Sequence, residues 1–203
     1  VTCLAFTPDC KTLVTGGWDK TVRLWDVAKG KEMAAFKVHT KGIDCVSFSP
    51  DGKLLAFGGR RFFDEMDDDK PVRLWDLKGE QKAAFKFYMA ASVAFSPDGK
   101  LLAVGGQRTV KLWDLTTGKQ QAVLEQVGGV SFAAVSNGVN AVVFGPDGKT
   151  LFSGSGDQLV RVWDLTTGKE KARLKEHVDS VVCLAISPDG KLLASGSSDA
   201  ILL

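Results

Sequence analysis

Three residues near the C-terminus have the types of a nucleophilic triad: His177, Ser195 and Asp199. A serine hydroxyl, an imidazole to take its proton and a carboxylate to orient the imidazole would together perform acyl transfer. The rest of the chain weakens that reading. A hydroxyl followed four residues later by a carboxylate recurs as Thr15 with Asp19 and as Ser153 with Asp157. A nucleophile needs one activated copy in a cleft, whereas a repeated pair marks a repeated packing device, so these residues are expected to be structural and no catalytic residue is assigned. A second candidate is the acidic run Asp64-Glu65-Met66-Asp67-Asp68-Asp69, whose oxygens could suit calcium. It lacks the Asp-x-Asp-x-Asp-Gly order and the distant Glu of a calcium loop. Arg60, Arg61 and Lys70 flank it, so a solvated, internally paired loop is expected.

The cysteines give no metal chemistry. Cys3, Cys45 and Cys183 each stand three residues before a large apolar residue, Phe6, Phe48 and Ile186, and Ser92 and Ala141 fill the same place elsewhere. A position that accepts Cys, Ser or Ala asks for a small side chain. No Cys-x-x-Cys pair or nearby His cluster suggests zinc, so neither metal nor cofactor is expected. Free thiols fit a reducing compartment, and a cytoplasmic location is the expectation. The net charge of +2, with both signs mixed along the chain, argues against a nucleic-acid partner. No apolar run approaches the ~18 residues of a membrane span, so no membrane partner is expected.

The elements that must hold these residues come from a repeat. Ser-Pro-Asp-Gly-Lys returns in five variants with prolines at 8, 50, 97, 146 and 188, a spacing of 42, 47, 49 and 42 residues. That period suits a four-stranded propeller blade. Within a unit, Ile43 to Phe48 alternates as a strand, and Pro-Asp-Gly makes a tight turn. Leu54 to Phe57, Val72 to Leu77 and Gln81 to Lys86 complete the set. No long 3.6-residue apolar period occurs, so essentially no helix is expected. Cys10 replaces the turn glycine of the other four repeats; if φ stays positive there, the substitution costs on the order of 1 kcal/mol.

With Arg23-Leu24-Trp25-Asp26 and its copies ending at Asp76, Asp114 and Asp164, the array resembles WD-repeat (β-transducin-like) propellers over the whole chain. The wording Trp-Asp-Leu-Thr-Thr-Gly-Lys resembles the bacterial members. The resemblance implies an all-β propeller of four-stranded antiparallel blades in a single region, 1–203. Four blades are whole, at about 1–37, 38–86, 87–125 and 134–175, and a fifth, 176–203, is partial. Because the family commonly closes seven blades, an open arc is expected, a fragment whose remaining blades are missing. The family also holds each blade with a tetrad of His, Ser or Thr, Asp and Trp. Carried over, blade 1 has Thr15, Asp19 and Trp25, and blade 2 has His39, Asp69 and Trp75 with Phe57 in place of the hydroxyl. Blade 3 keeps only Trp113, with Lys86, Val104 and Gln107 at the other places. Blade 4 has Ser153, Asp157 and Trp163 with Val135 in place of His, and blade 5 has His177, Ser195 and Asp199.

Function is sought where the repeats differ. Proline-to-Trp distances of 17, 25, 16 and 17 place an insertion at 60–68, and Trp-to-proline distances of 25, 22, 33 and 25 place another at 126–137. Loops between strands two and three and loops between blades emerge at the same end of a blade, so both insertions are expected on one face, the one usually called the top. Arg60, Arg61, Phe62, Phe63, Phe87, Tyr88 and Arg108, with Trp18 at the matching turn of blade 1, then form a candidate partner surface, since aromatic residues and Arg are typical interface anchors. The alternative is that some aromatics, Phe87 above all, fold back over the blade tops. The expected function is a non-catalytic protein-interaction scaffold. The alternatives are a sensory or docking domain of a larger bacterial signalling protein and, remotely, a propeller enzyme, for which the first strands offer only Asp44 and Asp179.

Overall fold

The computed structural model describes residues 1–37, 42–59, 72–87, 89–126 and 138–199. Every element among them is a strand, as short β-branched and aromatic runs punctuated by Gly, Pro and Asp dictate. The chain divides into two compact units, Val1–Val93 and Ala94–Leu203.

Unit 1 carries two antiparallel sheets whose strands follow chain order. The first contains β1 (Cys3–Phe6), β2 (Thr12–Gly16), β3 (Thr21–Asp26) and β4 (Lys31–Lys37); the second contains β5 (Cys45–Phe48), β6 (Leu54–Gly58), β7 (Val72–Asp76) and β8 (Gln81–Phe85). A third sheet begins at the unit boundary with β9 (Ser92–Phe95) and continues through β10 (Leu101–Gly105), β11 (Thr109–Asp114) and β12 (Lys119–Glu125). Unit 2 adds β13 (Val139–Phe144), β14 (Thr150–Ser155), β15 (Val160–Asp164) and β16 (Lys169–Leu174), then a pair, β17 (Val181–Ile186) and β18 (Leu193–Ser197). These are blades of four meandering strands, with two strands of a fifth among the described residues.

Each unit buries a core between neighbouring sheets. In unit 1, Val14, Val22 and Leu24 of the first sheet meet Ile43, Phe48, Leu55 and Phe57. In unit 2, Ala103, Val110, Leu112 and Leu124 meet Val139, Val142, Phe144, Leu151 and Trp163. Close approach depends on the glycines that end β2 and β10. A Cβ on Gly16 would lie 2.7 Å from Ile43 Cγ2, and one on Gly105 would lie 2.7 Å from Val139 Cγ1. Ile43 was expected inside the first strand of blade 2, which instead starts at Cys45, because the Ile43 amide donates to Gly17 O of the preceding blade at 3.1 Å.

The proline turns are locked by side chains as well as by Pro and Gly. The Ser49 hydroxyl donates to Asp51 Oδ1 at 2.6 Å, while the Lys53 amide donates to the same carboxylate and the Leu54 amide to Ser49 Oγ. The same bonds recur around Asp9, Asp98 and Asp189, and in all four the hydroxyl first, then the Lys amide, holds the carboxyl below its ordinary value. Blade 4 has Gly145 where the hydroxyl belongs, and Thr150 from the far side of the turn donates to Asp147 Oδ2 at 2.8 Å instead. Cys10 has φ 57°, beside 69°, 71°, 65° and 71° at Gly52, Gly99, Gly148 and Gly190. A side chain in the left-handed region costs roughly 1 kcal/mol, and Cys10 is exposed. Cys10→Gly is therefore expected to raise stability by about 1 kcal/mol in urea melts, with the m-value unchanged.

Candidate functional site

Each tryptophan of the Trp-Asp motif follows a β-bulge. The pairing of third with fourth strand shifts between Leu24 and Trp25, Leu74 and Trp75, Leu112 and Trp113, and Val162 and Trp163. A bulge re-aims the side chain beside it, and here it aims an indole at the second strand. The Asp that follows caps the next turn: Asp114 Oδ1 accepts the Thr116 and Thr117 amides at 2.7 and 3.1 Å, and Asp164 repeats the pattern.

In blade 1, Trp25 Nε1 donates to Thr15 Oγ1 at 2.9 Å, while Asp19 accepts from Arg23 at 3.3 Å. In blade 2, Phe57 removes the acceptor. Trp75 Nε1 is buried with no partner among the described residues, and the indole meets Phe57 edge-on with ring centroids 5.9 Å apart. His39 and Asp69 lie outside the described residues. In blade 3, Trp113 is buried, and the neighbouring strand of its own sheet carries Val104 at the hydroxyl place.

Blade 4 holds the largest network. Trp163 Nε1 donates to Ser153 Oγ at 2.8 Å, and Gln126 Nε2 donates to the same oxygen at 3.1 Å. Gln126 thus does what the His of the resemblance would do. Val135, expected at that place, lies outside the described residues. Gln126 Oε1 accepts from Arg161 Nη1 at 3.2 Å, and Arg161, fully buried, pairs with Asp157 Oδ2 at 2.5 Å and reaches Glu170 Oε2 at 3.3 Å. The Arg161 Nε beside Glu170 is not angled to hydrogen-bond, so the contact is an ion pair only. Burial acts to raise the Asp157 carboxyl; Arg161 and the Ser155 hydroxyl outweigh it and hold the group below its ordinary value.

Blade 5 brings the three triad-like residues together. His177 Nε2 lies 2.8 Å from Ser195 Oγ and Nδ1 lies 3.1 Å from Asp199 Oδ2, which also accepts the Val178 amide at 3.0 Å. The order matches that of a serine hydrolase, but Ser195 and His177 are both buried. A carbonyl substrate must touch the hydroxyl, and burial denies it that. Ser153 in blade 4 shows the same hydroxyl serving as a packing acceptor.

The exposed candidates divide between the units. In unit 1, Trp18 on the β2–β3 turn is 70% exposed. Its indole lies against the Gly42 backbone, where a Cβ would stand 3.6 Å from Trp18 Cδ1. Phe87 is only 5% exposed, so a partner cannot meet its ring; it is a packing residue, because an apolar ring beside the β8–β9 connection gains more from the core than from water. In unit 2, Arg108 is exposed at the β10–β11 turn with φ 45°. Arg60, Arg61, Phe62, Phe63 and Tyr88, with the acidic run, lie outside the described residues. Among the described residues no group of three or more His, Cys, Asp or Glu could hold a metal ion, and no helix is long and apolar enough to cross a membrane.

Comparison with known families matches the description "WD domain, G-beta repeat" at residues 1–26, 30–76, 90–114, 130–164 and 168–202. The chain belongs to the WD-repeat family. Two curated WD-repeat relatives illustrate the likeness. The small ribosomal subunit protein RACK1y of Oryza sativa subsp. japonica is 30% identical over 160 residues, 76% of this chain and 44% of that protein. The mitotic checkpoint protein bub3 of Dictyostelium discoideum is 41% identical over 71 residues, 35% of this chain and 22% of that protein. The WD-repeat chain therefore spans less than half the length of either. Both relatives are eukaryotic, and the expectation of a bacterial-type array finds no support in them.

Proposed function

We propose that this WD-repeat chain is a non-catalytic scaffold that binds other proteins through turn and connection residues of its blades. The observation that carries the reading is the contrast between its polar and aromatic groups. His177, Ser195, Ser153 and Arg161 are buried in packing networks, whereas Trp18 stands 70% exposed on the β2–β3 turn. A large exposed aromatic is a usual anchor of a protein interface. Two of its relatives are named as a ribosomal subunit protein and a mitotic checkpoint protein, and membership of protein assemblies is what this reading carries over from those names.

The test is affinity capture with the purified chain, comparing the wild type with Trp18→Ala and with Phe62→Ala, Phe63→Ala and Tyr88→Ala combined. Capture of specific proteins is expected to fall at least tenfold in each variant, with β-type circular dichroism unchanged. Capture that survives both would remove this surface from consideration. The enzyme reading has one observation in its favour, the Ser195–His177–Asp199 order, and predicts covalent labelling of Ser195 by a fluorophosphonate. No labelling is expected, and stoichiometric labelling would overturn the scaffold assignment.

A further inference from the structure

The fourth strand of each blade is an edge of its sheet, and that of blade 4 differs from the others. β16 pairs with β15 alone in its sheet, so its far side presents the peptide groups of a strand edge. Opposite Arg23, Arg73 and Lys111 of the third strands stand Ala35, Ala84 and Val123, but opposite Arg161 stands Arg173. At the bulge beside the tryptophan, blade 4 has Lys171 where blade 3 has Gln121. Lys169, Lys171, Arg173 and Lys175 thus put a cation at every second residue, whereas the matching run of blade 3 is Lys119, Gln121, Val123 and Glu125.

The acids of this stretch do not cancel the row. Glu170 turns one carboxylate oxygen to buried Arg161, 3.3 Å from Nε, and the other to Arg173 Nε, so it serves the network beneath the edge. Arg173 still has 47% of its side chain exposed, and Lys169, Lys171 and Lys175 are exposed. Glu176 is the one further acid between 169 and 176.

We propose that the open edge of β16 takes up an extended acidic segment of a partner protein as an added strand. Backbone pairing supplies the ladder, and carboxylates at alternate positions of the segment meet Lys171, Arg173 and Lys175. The same row decides what does not bind. Lysine on an edge opposes self-pairing, because a second copy of β16 sets cations against cations; an acidic strand turns that repulsion into attraction. The edge is six residues long, about 20 Å, which fits two or three alternate carboxylates. The site lies in unit 2 and does not use Trp18, so it goes beyond the turn surface proposed above.

Fluorescence anisotropy on the full 203-residue chain tests this with a labelled peptide of alternating Glu and Thr, about eight residues long. The wild type is expected to bind it, less tightly as salt rises. Lys171→Glu combined with Lys175→Glu is expected to bind about tenfold more weakly, and Trp18→Ala to bind as the wild type does. The same peptide N-methylated at two adjacent central residues keeps its charge but loses a donor on each edge of the strand, and it is expected to bind about tenfold more weakly. The proposal is overturned by a wild type that does not bind, by unchanged binding in the double variant, by equal binding of the N-methylated peptide, by loss of binding in Trp18→Ala, or by an oligothymidine of equal charge that binds as tightly. Circular dichroism checks folding. If the double variant misfolds, Lys171→Gln with Lys175→Gln removes the same charges in its place.

Discussion

Asp157→Ala is expected to destabilise unit 2 by about 3 kcal/mol. Arg161 is fully buried, and Asp157 is its closest charged partner, at 2.5 Å. Removing the carboxylate leaves a guanidinium in a dry site, and breaking such a pair typically costs roughly 3–5 kcal/mol. The lower end applies here because Glu170 stays 3.3 Å away and Gln126 keeps its hydrogen bond. The double replacement Arg161→Met with Asp157→Leu is expected to cost much less, since it removes both charges and refills the volume. The effect has a pH signature. Folding holds the Asp157 carboxyl below its ordinary value of 3.8, so its contribution is complete above the value of the unfolded chain and is lost as pH falls through the folded value. Urea melts should give a constant gap between wild type and Asp157→Ala from about pH 5 to 8, closing below about pH 4. A gap that persisted into acid would show that Asp157 acts by packing rather than by charge.

Ser153→Ala is expected to cost about 3 kcal/mol by the same measurement. One oxygen accepts from Trp163 Nε1 and Gln126 Nε2, and all three residues are buried. Its removal orphans two donors, at roughly 1–3 kcal/mol each before relaxation. A double-mutant cycle with Gln126→Ala should show a coupling of about 1 kcal/mol; zero coupling would mean that Gln126 does not act through Ser153. Blade 2 shows why the loss is not universal. There Phe57 supplies apolar volume and an edge-on ring to Trp75 in place of a hydroxyl, whereas alanine at 153 would supply neither.

The strands, their order within a blade and the proline turns were legible because each is encoded locally: alternation makes a strand, and Pro-Asp-Gly makes the turn. The polar posts were legible only where their spacing repeats. Gln126 was missed because its place was counted back from the next strand, which reaches Val135. Counted forward, His177 stands three residues after Leu174, and the same step from Leu124 reaches Val127. An insertion makes the two counts disagree, neither reaches Gln126, and geometry alone places it. No local pattern marks Arg161 as buried; its burial follows from Asp157, Gln126 and Glu170 converging from three elements. The substitution of Thr150 for the hydroxyl missing at Gly145, and the burial of Phe87, also depend on neighbours that no local pattern names.

The close approach at the second-strand glycines bears on how such arrays grow. Gly16, Gly105 and Gly154 each receive an aliphatic residue of the following blade, Ile43, Val139 and Val181, so the middle blade of such a run carries both a receiving glycine and a filling residue. A duplicated repeat therefore arrives able to join the blade before it and the blade after it, with no matching change needed elsewhere. Tetrads can then decay one blade at a time, as in blades 2 and 3, while the copy number of the array remains free to change.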